Sequence, residues 1–126
     1  MALTLTITDV DLGLDLLYAF GTVAVSGNYP SGGDTVDWTT LKGQYGRFGQ
    51  IVDSSMQDPS FGPLQASFTV QGGSPNQYNM QQGTAANNWK MRGYAAGGVE
   101  FTGNSAYPAS ATGDIITFSA VFRKAV

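Results

Sequence analysis

A long apolar run that ends in a turn rich in glycine and proline constrains the fold of this chain more than any other segment. Residues Leu16–Ser26 are rich in aromatic and β-branched side chains, which favour a strand. Both faces of the run are largely apolar, so we predict a central strand covered on both sides, with Gly21 at a bulge or flattening point. The segment Tyr29–Gly33 then ends the strand, because its proline fixes the backbone and its glycines adopt angles that other residues avoid. Tyr29 is therefore expected on a stiff loop.

Apolar and polar residues alternate with period two elsewhere, which predicts further strands and no helix longer than a turn. In the first strand Leu3, Leu5 and Ile7 are expected to face the core, with threonines facing outward. The other predicted strands are Phe48–Asp53, Leu64–Gln71, Gln77–Gln82, Trp89–Tyr94, Val99–Thr102 and Asp114–Arg123. About eight short strands separated by regular turn signals predict an all-β fold, an antiparallel β-sandwich with a jelly-roll-like arrangement.

The sequence also predicts how these strands are arranged and connected. With 126 residues and no linker, residues 1–126 are expected to form a single domain. The runs Leu16–Ser26 and Asp114–Arg123 are expected to be neighbours at the centre of a sheet. Thr35–Leu41 is compatible with a helical turn or a short strand, with Trp38 packed inward. Gly103–Gly113 is predicted to be a flexible polar loop.

Composition excludes several classes of partner. Charged residues make up only 12% of the chain, and the formal net charge is -3, so nucleic acid is not an expected partner. No segment has the length or apolar character of a membrane span or a secretion signal, so we expect no membrane contact and synthesis in a cytoplasm. A surface of neutral polar groups provides little charge repulsion between molecules. This composition therefore favours a protein that assembles with others.

Catalysis and metal binding have little support in the sequence. There is no cysteine and no histidine, so thiolate chemistry and the commonest acid–base group are absent. The acids of Asp9–Asp15 lack the glycine and glutamate spacing of a calcium loop. Glu100 is the only glutamate, and we interpret it as a solvated surface group on a strand. We therefore predict a non-enzymatic protein with no catalytic, metal or cofactor site, and no cofactors.

Exposed aromatic side chains with nearby amides are typical of carbohydrate-binding modules, which is the alternative function. The candidate aromatic residues are Trp38, Tyr45, Tyr78, Trp89, Tyr94 and Tyr107. The same residue types are equally expected as core anchors or interface residues, so composition leaves both interpretations open.

Two segments carry a resemblance to a known group. Met1–Thr8 begins with Met-Ala-Leu and continues with alternating threonine and aliphatic residues, and Tyr29–Gly33 reads Tyr-Pro-Ser-Gly-Gly after a long strand. This pattern resembles small structural proteins of tailed-phage virions. The resemblance implies a capsid decoration, or cement, protein that binds the major capsid protein on the outer surface of an icosahedral shell. It also implies a homotrimer, and it fits a tail or head-fibre component as well.

The predicted partner contact lies in these two segments. Leu3, Leu5 and Ile7 belong to an uncharged N-terminal strand that is able to pair with a partner through its backbone. The second part of the predicted contact consists of Tyr29, Pro30, Ser31, Gly32 and Gly33, where the stiff loop limits the entropy lost on binding. The alternative is that the first three residues complete this domain's own sheet and Tyr29 folds inward.

Overall fold

A computed structural model describes residues 3–12, 16–41 and 62–123. The described strands are β1 (Leu3–Leu12), β2 (Leu16–Val25), β3 (Asn28–Tyr29), β4 (Asp34–Val36), β5 (Gln65–Val70), β6 (Gln77–Gln81), β7 (Trp89–Tyr94), β8 (Ser105–Ala106) and β9 (Ile116–Arg123). The helical segments among these residues are the 3-10 turns Trp38–Leu41 and Ala96–Gly98 and the short α-helix α1 (Ala109–Thr112). The predicted strand Phe48–Asp53 lies outside the described residues.

The strands form antiparallel sheets, and the fold is all-β and sandwich-like, as predicted. One sheet has four strands in the order β1-β2-β9-β5, and a second has three in the order β4-β7-β6. The short strands β3 and β8 form a separate pair. β2 pairs with β9 along its length, which confirms the predicted neighbours at the sheet centre.

The core lies between the two larger sheets and is organised around Trp38. This side chain is 0% exposed, and its ring contacts those of Trp89, Phe118 and Phe122 edge to face at 5.7–6.0 Å between centroids. The turn that carries it begins after Asp37, whose carboxylate accepts a hydrogen bond from Thr39 N at 3.0 Å. The prediction that Trp38 packs inward is therefore confirmed.

β2 differs from its prediction on one face. Its inward side chains, including Leu17 and Ala19, are 2% and 0% exposed, but Phe20 on the opposite face is 42% exposed. The prediction that both faces are covered is wrong. An antiparallel sheet of this kind packs one face on the core and leaves the other in water, even where that face carries an aromatic residue.

The segment Gly103–Gly113 is more ordered than predicted. It contains β8 and α1, and Tyr107 within it is only 5% exposed. Tyr107 N donates to Gly27 O at 3.0 Å, and Asn104 N donates to Tyr29 O at 2.7 Å. The prediction of a flexible loop is wrong because a buried aromatic ring and these backbone bonds fix the segment. The predicted strand Val99–Thr102 is reduced to one isolated bridge between Tyr94 and Glu100.

Gly21 allows β1 and β9 to approach β2 closely, and we expect it to be intolerant of substitution. A Cβ atom at Gly21 would overlap the carbonyl oxygen of Thr6 and the ring of Phe118. Gly21→Ala should therefore reduce the free energy of unfolding by about 1–3 kcal/mol, measured by urea denaturation. Gly72→Ala is the matched control, since nothing lies within 4 Å of its Cβ position. Equal stability of the two variants would contradict the close approach.

Candidate docking surface

The predicted contact residues of the N-terminal strand lie inside the domain. Leu3, Leu5 and Ile7 are 1%, 2% and 8% exposed, and β1 pairs with β2 of the same chain. The structure therefore has the alternative arrangement, in which these residues complete the domain's own sheet. Their side chains contact the core, so they are not available as a side-chain surface for a partner.

Tyr29 also folds inward, and only the tip of its loop reaches the surface. Tyr29 is 0% exposed, and Gly33 is buried as well. The turn closes through a hydrogen bond from Gly33 N to Pro30 O at 3.1 Å. Pro30 is half-buried, whereas Ser31 and Gly32 are exposed. Gly32 has a φ of 88°, a backbone conformation that favours glycine. Partner contact through Ser31 and Gly32 stays a prediction.

An aromatic cluster holds this loop. Phe101 lies at its centre, with its ring edge-to-face against Tyr29, Tyr78 and Tyr107 at centroid distances of 5.5, 6.0 and 6.1 Å. Tyr29 and Tyr107 also meet edge to face at 5.5 Å. Gly93 makes room for Phe101, because a Cβ atom there would overlap the phenylalanine ring. Each aromatic pair adds about 0.5–1.5 kcal/mol beyond its buried area, so the cluster fixes the loop firmly.

Each tyrosine of the cluster donates its hydroxyl to a carboxylate. Tyr29 donates to Glu100 Oε2 at 2.7 Å, and Tyr107 donates to Asp34 Oδ2 at 2.6 Å. Tyr78 donates to Asp114 Oδ2. Burial, and then the bond to Glu100, raise the pKa of Tyr29 to about 12. Burial and the neighbouring carboxylates likewise raise the pKa values of Tyr78 and Tyr107.

The two aspartates of these pairs differ in environment. Asp34 is 5% exposed, and burial raises the pKa of its carboxyl although Tyr107 and Thr35 N donate to it. For Asp114, burial also acts to raise the pKa, but hydrogen bonds from Ser74, Tyr78 and Asn76 outweigh it and lower the pKa. Both carboxylates accept structural hydrogen bonds, and neither is paired with a second carboxylate in the described contacts.

Sequence reasoning missed these carboxylates. Glu100 was interpreted as a solvated surface group, yet it accepts from Tyr29 and lies 3.6 Å from Arg92. Asp34 and Tyr107 are 73 residues apart in the sequence. No local spacing could have indicated that pair, because the contact exists only once the chain has folded.

We call the outward face of the four-stranded sheet the threonine face. Its centre is a row of exposed threonines, one on each strand and aligned by the pairing register: Thr6, Thr22, Thr117 and Thr69. The adjacent row contains Phe20, Ser119 and Ser67, and the two serine hydroxyls lie 3.1 Å apart. Among the described side chains of this face, charge is confined to Asp9 and Asp11 near one end of β1. Most of the face is therefore neutral and rich in methyl and hydroxyl groups.

The outward face of the three-stranded sheet has a different chemistry. It carries Lys90, Arg92 and Tyr94 on β7, beside the amides of Gln81 and Asn79 on β6. Arg92 Nε donates to Gln81 Oε1 at 3.1 Å, and Lys90 Nζ donates to Thr35 Oγ1 at 3.0 Å. This face therefore carries two cations bonded to neighbouring side chains, whereas most of the threonine face is neutral.

Burial bears directly on the carbohydrate-binding alternative. Four of the six candidate aromatic residues are nearly inaccessible at 0–6% exposure: Trp38, Tyr78, Trp89 and Tyr107. A buried ring offers no face on which a sugar can stack. Tyr94 remains half-exposed, and Tyr45 lies outside the described residues.

Other site types were sought in the same ranges. Within residues 3–12, 16–41 and 62–123, no group of three or more acidic, histidine or cysteine side chains is placed to hold a metal ion. The described helices include none that is long and apolar enough to cross a membrane.

The fold and these surfaces define an all-β, sandwich-like domain with one neutral outward sheet face. Comparison of the chain with known protein families, with characterised proteins and with solved structures finds no match in any of the three.

Proposed function

We propose that this protein is a non-enzymatic structural component of a phage virion, a capsid decoration (cement) protein. In this proposal it binds the major capsid protein as a homotrimer on the outer surface of the shell and stabilises that shell. The observation that carries the proposal is the threonine face. A neutral sheet face with ordered methyl and hydroxyl groups loses little free energy of hydration when another protein covers it, since few charges must be desolvated.

The loop Tyr29–Gly33 adds to this support. The aromatic cluster and the hydrogen bond from Tyr29 to Glu100 fix the backbone, so Ser31 and Gly32 are presented in one conformation. A preorganised contact loses less conformational entropy on binding than a flexible one. The exposed residues of this loop and the threonine face are the contacts that we propose.

Co-sedimentation with empty shells tests the proposal. The shells should be assembled from the major capsid protein encoded nearest to this chain. We expect saturable binding by the wild-type protein and a loss of about tenfold or more for the double variant Thr6→Lys, Thr69→Lys, whose lysines lie on the two outer strands and do not face each other. Both positions are exposed, so the variant should unfold within about 3 °C of wild type.

The matched control places the same charge on the opposite sheet. Asn79→Lys and Gln77→Lys alter exposed positions on β6, and the control variant should bind shells like wild type. Failure of the wild-type protein to bind shells while it binds phage tails would favour the tail or head-fibre alternative. Equal loss of shell binding in both variants would exclude the threonine face as the docking surface.

A further inference from the structure

We propose that one end of the threonine face is a docking site for an arginine side chain of the partner protein. Two aromatic residues of β2, Tyr18 and Phe20, lie directly opposite two aspartates of β1, Asp11 and Asp9, in the pairing register. We call these four residues the aromatic corner. The inference rests on the proposed function, since it names the chemistry that the partner presents to one end of the proposed docking surface.

The four side chains of the aromatic corner share one face of the sheet. Residues directly opposite each other on antiparallel strands point to the same side, with Cβ atoms about 4.5–5.5 Å apart. Phe20 is 42% exposed, Asp9 and Asp11 are exposed and Tyr18 is half-buried, whereas Ala19 between the two aromatic residues is 0% exposed. The corner therefore presents two rings and two carboxylates to solvent together.

A β-bulge in β1 produces this arrangement. The register shifts between Ile7 and Asp9, and Thr8 between them donates its hydroxyl to Phe20 O at 3.3 Å. Without the shift, strict alternation along the strand would turn Val10 outward, but Val10 packs against the core instead. Bulges re-aim side chains in this way and are common beside functional sites. The bulge therefore places the carboxylates beside the aromatic rings.

The aromatic corner carries negative charge that no described side chain neutralises. The carboxylates of Asp9 and Asp11 have no hydrogen-bond or ion-pair partner among the described residues. Lys90 and Arg92 are the cations whose side chains the structure describes, and they lie on the outward face of the other sheet. Residues two apart on a strand are separated by about 7 Å, so the two carboxylates form one compact patch. The complementary group is a cation supplied by another molecule.

The rings determine which cation fits best. An aromatic ring carries negative potential on its face, so it attracts a cation placed over it. A guanidinium group is planar and stacks on such a ring, and its fork of N–H donors matches a carboxylate. One arginine is therefore able to contact Phe20 and Asp9 together, whereas a lysine ammonium is more strongly hydrated and does not stack. An acidic or uncharged segment would leave both carboxylates without a counter-charge.

An NMR titration of the whole protein tests this inference. The probe is a capped peptide of sequence Thr-Arg-Thr-Arg-Thr, whose arginines have the same two-residue spacing as the aspartates. We expect saturable shifts of the ring signals of Tyr18 and Phe20 and of the amides of Asp9 and Asp11. The same peptide with citrulline in place of arginine keeps the shape without the charge, and it should leave these signals unchanged. A lysine peptide should bind about threefold or more weakly.

Asp9→Asn and Phe20→Leu are the test variants. Each should weaken binding of the arginine peptide about threefold or more, because one removes a charge and the other removes an aromatic face. Both positions are exposed, so both variants should fold, and Asp9→Asn alone decides the matter if Phe20→Leu does not. Glu100→Gln is the matched control. It removes the same charge beside β7 of the other sheet and keeps an oxygen that accepts from Tyr29, so it should bind the peptide like wild type.

Three results would overturn the inference. The first is an equal shift with the citrulline peptide, and the second is unchanged affinity for the arginine peptide in Asp9→Asn. The third is self-association of the wild-type protein that Asp9→Asn abolishes, measured by analytical ultracentrifugation, because that result would assign the corner to a second copy of this chain.

Shell binding separates this inference from the proposed function. Unchanged shell binding by Asp9→Asn and Phe20→Leu would overturn the inference and leave the proposed function standing. Peptide binding at the corner without any shell binding would support the corner and contradict the proposed function. Shell binding that weakens about threefold or more in both variants, and that also weakens with added salt, would support both.

Discussion

Trp38→Ala should reduce the free energy of unfolding by about 3–5 kcal/mol, a large part of the stability of a domain of this size. Trp38 is 0% exposed and contacts Trp89, Phe118 and Phe122, so it connects the two larger sheets. Removing the indole leaves a cavity that neighbouring strands, held by their hydrogen bonds, cannot fill. Chemical denaturation followed by far-UV circular dichroism measures the loss.

Trp38→Phe is the matched control for this prediction. Among the described residues Trp38 Nε1 has no hydrogen-bond partner, so phenylalanine removes an unsatisfied donor while it keeps most of the ring. The control should lose only about 1–2 kcal/mol. If Trp38→Ala remained within about 1 kcal/mol of wild type, another residue would have to organise the core.

Tyr107→Phe should reduce the free energy of unfolding by about 2–3 kcal/mol at neutral pH. The substitution keeps the ring but removes the donor to Asp34 Oδ2, and Asp34 is only 5% exposed, so water cannot replace the lost bond freely. Tyr78→Phe is the control, because Asp114 is half-buried and keeps donors from Asn76 and Ser74. Its loss should be about 1 kcal/mol.

The pH dependence of the Tyr107→Phe effect gives a further check on its cause. Burial already raises the pKa of Asp34, and the hydroxyl of Tyr107 opposes that rise, so the variant should raise the pKa further. When the pKa of a carboxyl group is higher in the folded state than in the unfolded state, the free energy of unfolding falls as pH rises between those two pKa values. The gap between variant and wild type should therefore be widest at neutral pH and shrink as the solution is acidified and Asp34 binds a proton. A gap that stays constant down to about pH 4 would show that the lost bond to Asp34 is not the cause.

The fold could be predicted from the sequence because strand signals are local. The alternating pattern predicts strands at Trp89–Tyr94 and Gln77–Gln82 that lie close to those observed. The length and apolar content of Leu16–Ser26 and Asp114–Arg123 predict that these two runs are neighbours, and they pair in the structure. The period-two rule assigns residues to two faces, but it does not say whether an apolar face is covered. Phe20 was assigned to a covered face for that reason.

The candidate surfaces could be predicted only in part. Thr6 is predicted from the sequence to face outward, but Thr22 lies on the face of β2 that is predicted to be covered. The row exists only because the register aligns Thr6, Thr22 and Thr117 across strands. Strand order and register depend on contacts between residues far apart in the chain, which local patterns do not encode. The tyrosine–carboxylate pairs escaped prediction for the same reason. Tyr29 and Glu100 are 71 residues apart, so the sequence leaves open whether Tyr29 folds inward.

The position of β9 inside the four-stranded sheet has a consequence for how the chain reaches its native state. β9 lies between β2 and β5, so neither strand gains its central neighbour until residues 116–123 have been synthesised. A nascent chain that has emerged only as far as β7 would expose the apolar faces of β2 and β5 together. Since such long-range pairing makes folding slow, we expect these two apolar faces to stay accessible to other molecules until β9 pairs with both strands.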